Sequence, residues 1–127
     1  MNETAGARRV LVVDDEKLVR ELLCAILEES GFEPLAAGTG EEARKLFAEH
    51  RKDICVALLD LSMPDIDAGE LYDALSAEAS DVKYILVSGY PEDEARRMFG
   101  REGLSAFLQK PFHVDALIEL VESVVQD

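Results

Sequence analysis

Apolar residues in this chain fall into two kinds of run, and their alternation predicts its architecture. Short unbroken runs stand at Val10-Leu11-Val12-Val13, Val56-Ala57-Leu58-Leu59, Tyr84-Ile85-Leu86-Val87 and Ala106-Phe107-Leu108. Runs of this length without alternation are how strands buried on both faces of a parallel sheet look in sequence. Between them lie longer stretches with helical spacing. The pattern predicts strands at about 8–13, 33–37, 54–59, 82–87 and 105–108, and helices at about 17–29, 41–50, 68–77, 91–101 and 114–125. Gly31 ends the first helix and Gly103 the fourth, as C-terminal cap signals. Pro34 places the second strand at an edge of the sheet. Thr39 followed by Glu42 gives the second helix an N-cap. Five βα units joined by right-handed crossovers make an α/β fold, a parallel sheet with helices on both faces.

Each central run ends on a polar group. Asp14-Asp15 follow the first, Asp60 the third strand, Ser88 the fourth, and Lys110 follows Gln109 at the end of the fifth. In an open α/β sheet, functional groups collect at the carboxyl ends of the strands, near the point where strand order reverses. Any one of these residues alone reads as a turn or cap. Together, at four strand ends, they describe a site.

Length and composition keep the picture to one domain spanning residues 1–127. A chain of 127 residues buries roughly two thirds of its unfolded surface, which is enough for a core without disulfides or metal staples. The formal charge of −14 changes the picture more. It argues against nucleic acid or an anionic membrane as direct partner, since phosphate binding needs Lys and Arg. Cations and basic partner patches suit it. No stretch approaches the length of a membrane span, and residues 1–9 are polar rather than signal-like, so a cytoplasmic location is expected. Cys24 and Cys55 lack partners at ligand spacing and are expected to be small buried hydrophobes. His50 and His113 are expected at the surface.

The chemistry of the rim is narrow. Adjacent carboxylates at Asp14 and Asp15, with Asp60, form a hard oxygen site suited to Mg²⁺, which takes few carboxylates and completes its shell with water and phosphate. A carboxylate can also attack phosphorus and form an aspartyl phosphate. The metal and Lys110 can balance the charge on the transferring group, and the Ser88 hydroxyl can donate to a phosphoryl oxygen.

On Val10-Leu11-Val12-Val13-Asp14-Asp15-Glu16, Leu59-Asp60-Leu61-Ser62-Met63-Pro64, Ser88-Gly89-Tyr90 and Phe107-Leu108-Gln109-Lys110-Pro111-Phe112, the chain resembles a receiver domain of two-component response regulators over nearly its whole length. The resemblance implies a flavodoxin-like, doubly wound five-stranded parallel sheet in the order 2-1-3-4-5. It implies that Asp60 accepts a phosphoryl group from a sensor histidine kinase or a histidine phosphotransfer protein. Asp15, Asp60 and the main-chain carbonyl of Ser62 would hold Mg²⁺ (or Mn²⁺), with Asp14 acting through water. Lys110 would contact the phosphoryl group, Ser88 and Phe107 would be the switch residues, and the Lys110-Pro111 bond would be cis. Glu16, Val19 and Leu22 would face the kinase, and Ser62 and Tyr90 would tune dephosphorylation. Two positions depart from the pattern: Ala68 stands where Gly is common, implying a shifted helix start, and Ser88 stands where Thr is more frequent.

On this reading the domain is a signalling module whose only chemistry is its own phosphorylation and dephosphorylation. The last helix ends at the chain terminus, so no effector is expected within it, and a stand-alone regulator and a receiver from a hybrid sensor kinase fit alike. A pseudo-receiver binding module would be expected to lack one of the acidic or Lys positions. A dehalogenase-type hydrolase would need Asp where Ser62 stands.

Overall fold

A computed structural model of the chain describes residues 8–79 and 81–126. The polar stretch expected at the amino terminus lies outside these residues up to Ala7. Five strands, β1 (Arg9–Val13), β2 (Glu33–Ala37), β3 (Ile54–Asp60), β4 (Lys83–Ser88) and β5 (Ala106–Gln109), alternate with five helices, α1 (Lys17–Glu29), α2 (Gly40–His50), α3 (Ala68–Ser76), α4 (Glu92–Phe99) and α5 (Val114–Gln126). The sheet is parallel throughout, in the order β2-β1-β3-β4-β5. Strand order reverses between β1 and β3, which are adjacent and start the two halves of the sheet. Their carboxyl ends therefore form the crevice in which such sheets carry their sites.

The period of two along each strand divides the core. Val10, Val12, Val56, Leu58, Ile85 and Val87 pack with Leu23, Leu27, Leu117 and Val121 of α1 and α5. Leu11, Val13, Ala57 and Leu59 pack on the other face with Phe47, Leu71 and Leu75 of α2 and α3. A third cluster joins Leu86 to Ala68, Ala95 and Phe99 under α3 and α4. Because both faces are covered, the strands need unbroken apolar runs.

Local chemistry sets most boundaries where the sequence places them. Gly31 is left-handed after α1 (φ 91°). Thr39 accepts from the Glu42 amide at the start of α2, and Pro34 lies on edge strand β2. The helix after the third strand begins at Ala68, with Asp67 as N-cap.

Three expectations are corrected. The fourth helix ends at Phe99, not near 101, because Gly100 takes the left-handed conformation (φ 72°) that closes a helix. Gly103 has a packing role instead: a Cβ there would collide with the Tyr72 hydroxyl. Cys24 and Cys55 are half-buried rather than fully buried. Burial still pushes both thiols up, aided at Cys24 by the charge of Glu28, so neither is a reactive thiolate. His50 is also half-buried, whereas His113 is exposed. Among the described residues no helix is long and apolar enough to cross a membrane.

Candidate functional site

The strand ends place Asp14 and Asp15 after β1, Asp60 at the end of β3, Ser88 at the end of β4 and Lys110 after β5. Hydrogen bonds between neighbouring strands hold this rim in line. The Leu61 amide donates to the Val87 carbonyl at 2.9 Å, and the Lys110 amide to the Ser88 carbonyl at 2.8 Å. Asp14, Asp60 and Ser88 are buried, at 1%, 4% and 1% exposure. Buried carboxylates need partners or a cation, and here the two kinds of partner are divided unequally.

Asp14 is fully engaged. Its Oδ1 accepts from the Glu16 amide at 2.9 Å, and its Oδ2 accepts from Lys110 Nζ at 2.9 Å. Asp60 is less well served. Lys110 Nζ lies 3.6 Å from its Oδ1, and the Ser62 amide donates to that same oxygen at 3.3 Å. Burial, followed by the charge of Asp14 and more weakly that of Asp15, pushes the Asp60 carboxyl up to about 6, against the opposing pull of Lys110 and the Ser62 amide. Burial pushes the Lys110 ammonium down, but the hydrogen bond to Asp14 and the charges of Asp60, Asp14 and Glu16 outweigh it and leave the ammonium firmer than usual.

Oxygens of Asp14, Asp15 and Asp60 lie within 4.8 Å of one another. Asp15 is exposed and faces solvent at the mouth. Three carboxylates against one ammonium leave a local excess of negative charge in a buried position, which a divalent cation with oxygen preference would neutralise. The residues present therefore fit Mg²⁺.

Ser88 Oγ accepts from the Tyr90 amide at 3.0 Å, so its own proton remains available to another acceptor. Phe107 is half-buried against the Leu86, Ala95 and Phe99 cluster. The Lys110-Pro111 peptide is cis. Of the residues expected to face a kinase, Leu22 is 51% exposed, Glu16 is exposed and Val19 is half-buried. Val19 and Leu22 line a groove of about 410 Å³ with Lys110, Pro111 and Phe112. Leu18, at 79% exposure, adds to the apolar surface there.

Sequence reading missed three contacts around the rim. Arg20 Nη1 donates to the Asp14 main-chain carbonyl at 2.9 Å. Asp65 Oδ2 accepts from the Gly40 amide at 2.9 Å and so ties the loop after Asp60 to the start of α2. Arg101 holds Asp73 through three hydrogen bonds from its Nε and Nη2 at 2.8 to 3.1 Å, joining α3 to the loop after α4. Only Asp65, following Pro64 in a loop, has a type and setting that suggest a capping role.

The profile of the response regulator receiver domain matches residues 10–122. The transcriptional regulatory protein AruR of Pseudomonas aeruginosa is 35% identical over 122 residues, covering 93% of this chain and 49% of that protein. The sensor kinase CckA of Brucella abortus is 31% identical over 124 residues, covering 98% of this chain and 13% of that protein. Both relatives are thus longer than the region they share with this chain. Among solved structures, the response regulator TrrA of Thermotoga maritima, in complex with Mg²⁺ and BeF, is 33% identical with a TM-score of 0.76, covering 92% of this chain and 98% of that one. With the sheet order, the acidic rim and these likenesses in agreement, the chain belongs to the response regulator receiver domain family, a family of two-component signalling domains.

Proposed function

We propose that Asp60 is the phosphoacceptor of a single receiver unit spanning residues 1–127, and that phosphorylation switches the surface beyond Ser88 and Phe107. The observation that carries this is the convergence of a buried, poorly neutralised carboxylate (Asp60), one ammonium (Lys110) and two further carboxylates on one rim. In the transfer, an ionised Asp60 oxygen attacks phosphorus, the bond from phosphorus to the donor's histidine nitrogen breaks, and the imidazole leaves with a proton. Lys110 balances charge on the phosphoryl oxygens from its place 3.6 Å from Asp60.

Asp15, Asp60 and the Ser62 carbonyl would hold Mg²⁺, with Mn²⁺ able to replace it. Asp14, whose two carboxylate oxygens already accept from Glu16 and Lys110, would act through water. The metal supplies charge neutralisation at the phosphoryl oxygens. Ser88 turns its free proton toward the phosphoryl group, a contact present only in the phosphorylated state and therefore able to shift the equilibrium. Phe107 then moves further into the cluster beneath α4.

The phosphoryl donor is a phosphohistidine of a sensor kinase or a histidine phosphotransfer protein. It docks over Glu16, Val19 and Leu22, beside the groove that ends at Lys110. Such donors draw their phosphate from ATP, which places the exchange in the cytoplasm. Neither DNA nor membrane is a direct partner of so acidic a domain, and its only catalysis is on itself.

Intact-mass spectrometry after incubation with acetyl phosphate or phosphoramidate tests this reading. One phosphoryl group should be gained, only with Mg²⁺ or Mn²⁺ present, and Asp60→Ala should gain none. Undiminished labelling of Asp60→Ala, or no labelling of the unaltered chain, would sink it.

A further inference from the structure

We infer that Arg20 is a positioning residue for the metal site, acting through the peptide that joins Asp14 to Asp15. This rests on the metal reading above and adds to it a residue that touches neither phosphate nor metal. The Asp14 main chain is fastened on both sides. Its amide donates to the Ala37 carbonyl of β2 at 3.1 Å, and its carbonyl accepts from Arg20 Nη1 at 2.9 Å. The Glu16 amide reaches back to Asp14 Oδ1 at 2.9 Å, and the Arg20 amide donates to the Glu16 carbonyl at 2.9 Å. Asp14, Glu16 and Arg20 thus form a closed loop of hydrogen bonds at the start of α1.

Holding the Asp14 carbonyl fixes the plane of the Asp14-Asp15 peptide, and that plane sets the direction in which Asp15 leaves the backbone. Asp15 is exposed, so little packing aims its side chain, and the peptide plane is what remains to do so. A second observation shows that space is kept for the guanidinium. A Cβ at Gly38 would lie 2.9 Å from Arg20 Nη1 and 3.3 Å from its Cζ. Glycine at this position lets the guanidinium lie against the β2–α2 loop while it reaches Asp14.

Charge and geometry predict opposite signs, which makes the inference testable. Arg20 is a cation near a cation site, so if its charge alone mattered, removing it would tighten Mg²⁺ binding. If it aims Asp15, removing it loosens binding, by about tenfold on the scale typical of groups that orient metal ligands. The experiment is calorimetric titration of MgCl2 into the unaltered chain, Arg20→Ala, Arg20→Lys and Gly38→Ala, with each melting temperature measured in EDTA. Arg20→Ala should raise the Mg²⁺ Kd about tenfold. Arg20→Lys, which keeps a donor and the charge, should recover part of that loss. Gly38→Ala, which leaves Arg20 in the chain but crowds it, should also weaken binding, and it decides the matter if Arg20→Ala fails to fold.

An Arg20→Ala chain that melts lower in EDTA yet binds Mg²⁺ as tightly as the unaltered chain, or more tightly, would overturn the inference and leave Arg20 a structural residue. Unchanged affinity in Gly38→Ala with a misfolded Arg20→Ala would overturn it equally. Absence of Mg²⁺ binding by the unaltered chain would instead overturn the metal reading and, with it, this inference.

Discussion

The two ends of the sheet carry similar charged groups in different surroundings. At the amino end, Arg9 on β1 lies 3.8 Å from Glu33 on β2 and 3.9 Å from Asp53 just before β3. Both carboxylates are well hydrated, with side-chain exposures of 66% and 47%. At the carboxyl end, Lys110 sits 2.9 Å from Asp14, which is 1% exposed, and 3.6 Å from the nearly buried Asp60. Water screens the first group, so its geometry matters little to stability. Less water reaches the second, so each unmatched charge on the buried Asp14 and Asp60 is felt more strongly. The fold keeps its unbalanced charge where a ligand can relieve it.

The largest expected effect breaks the carboxyl end directly. Lys110→Ala leaves Asp14 and Asp60 buried beside each other without their ammonium. Removing one partner of a buried pair costs about 3 kcal/mol or more, or roughly 10 °C in Tm for a domain of this size. Melting in EDTA should show the loss, and added Mg²⁺ should recover much of it, because the metal restores positive charge in the same place. Metal binding should persist while phosphorylation no longer shifts NMR signals near Phe107. A loss below 1 kcal/mol in EDTA would mean that the carboxyl end is no more sensitive to charge than the amino end.

Asp60 sharpens the comparison from the other side. Its carboxyl, pushed up to about 6, sits above the value of an unfolded aspartate, near 3.9. A group with a raised folded pKa favours the folded state while it is protonated in that state. Its contribution is therefore fully present below about pH 4 and is lost as pH climbs through 6. Without metal, the cost of ionising Asp60 is then carried throughout the neutral range. Because the pKa shift already sums the attraction of Lys110 with the repulsion of Asp14, its upward direction says that a neutral side chain is preferred there.

Asp60→Asn should therefore raise stability in EDTA at pH 7 by about 2 kcal/mol and lower the Mg²⁺ response, since it removes repulsion and a ligand together. Urea melts of both chains from pH 4 to pH 7.5 isolate the effect as the difference between the curves. That difference should grow between pH 4 and 6 and then level off. If Asp60→Asn is less stable than the unaltered chain in EDTA, the three carboxylates are not the crowded cluster described here.

How much of this could be read from the sequence follows from the range over which each interaction acts. Helix caps and strand runs are local, so Gly31, Thr39 and the unbroken run from Val56 to Leu59 are visible directly. The rim residues are visible because each closes a strand, and parallel strands put their ends together. The end of α4 is ambiguous in sequence because Gly100 and Gly103 are the same residue type; the left-handed backbone of Gly100 and the approach of Tyr72 to Gly103 distinguish them. Asp65 and the Arg101–Asp73 pair act across the fold, and Arg20 reaches back six residues to a main-chain carbonyl, a contact that residue type does not announce. No local pattern separates such arginines from others on a solvated helix face. The unequal sharing of Lys110 between Asp14 and Asp60 depends on distances of a few tenths of an ångström, which residue order does not encode.

The smallest predicted effect completes the comparison from the amino end. Arg9→Ala removes a guanidinium that lies near two carboxylates, a change that by a count of ion pairs looks nearly as severe as Lys110→Ala, which removes three. Both of its partners keep their hydration when it is gone, so no buried charge is stranded. Such exposed pairs contribute 0 to about 1 kcal/mol. What remains is the packing of the arginine stem, since the Arg9 side chain is only 32% exposed and covers apolar surface with its methylenes. Arg9→Met, which keeps a stem and removes the charge, should therefore be nearly neutral and less costly than Arg9→Ala. Because screening has already weakened these pairs, 0.5 M NaCl should change the stability of the unaltered chain and of Arg9→Met alike. Urea melts of the three chains at low and high salt decide it: a loss of 2 kcal/mol or more in Arg9→Met would place a strong ion pair at the amino end and remove the contrast with Lys110.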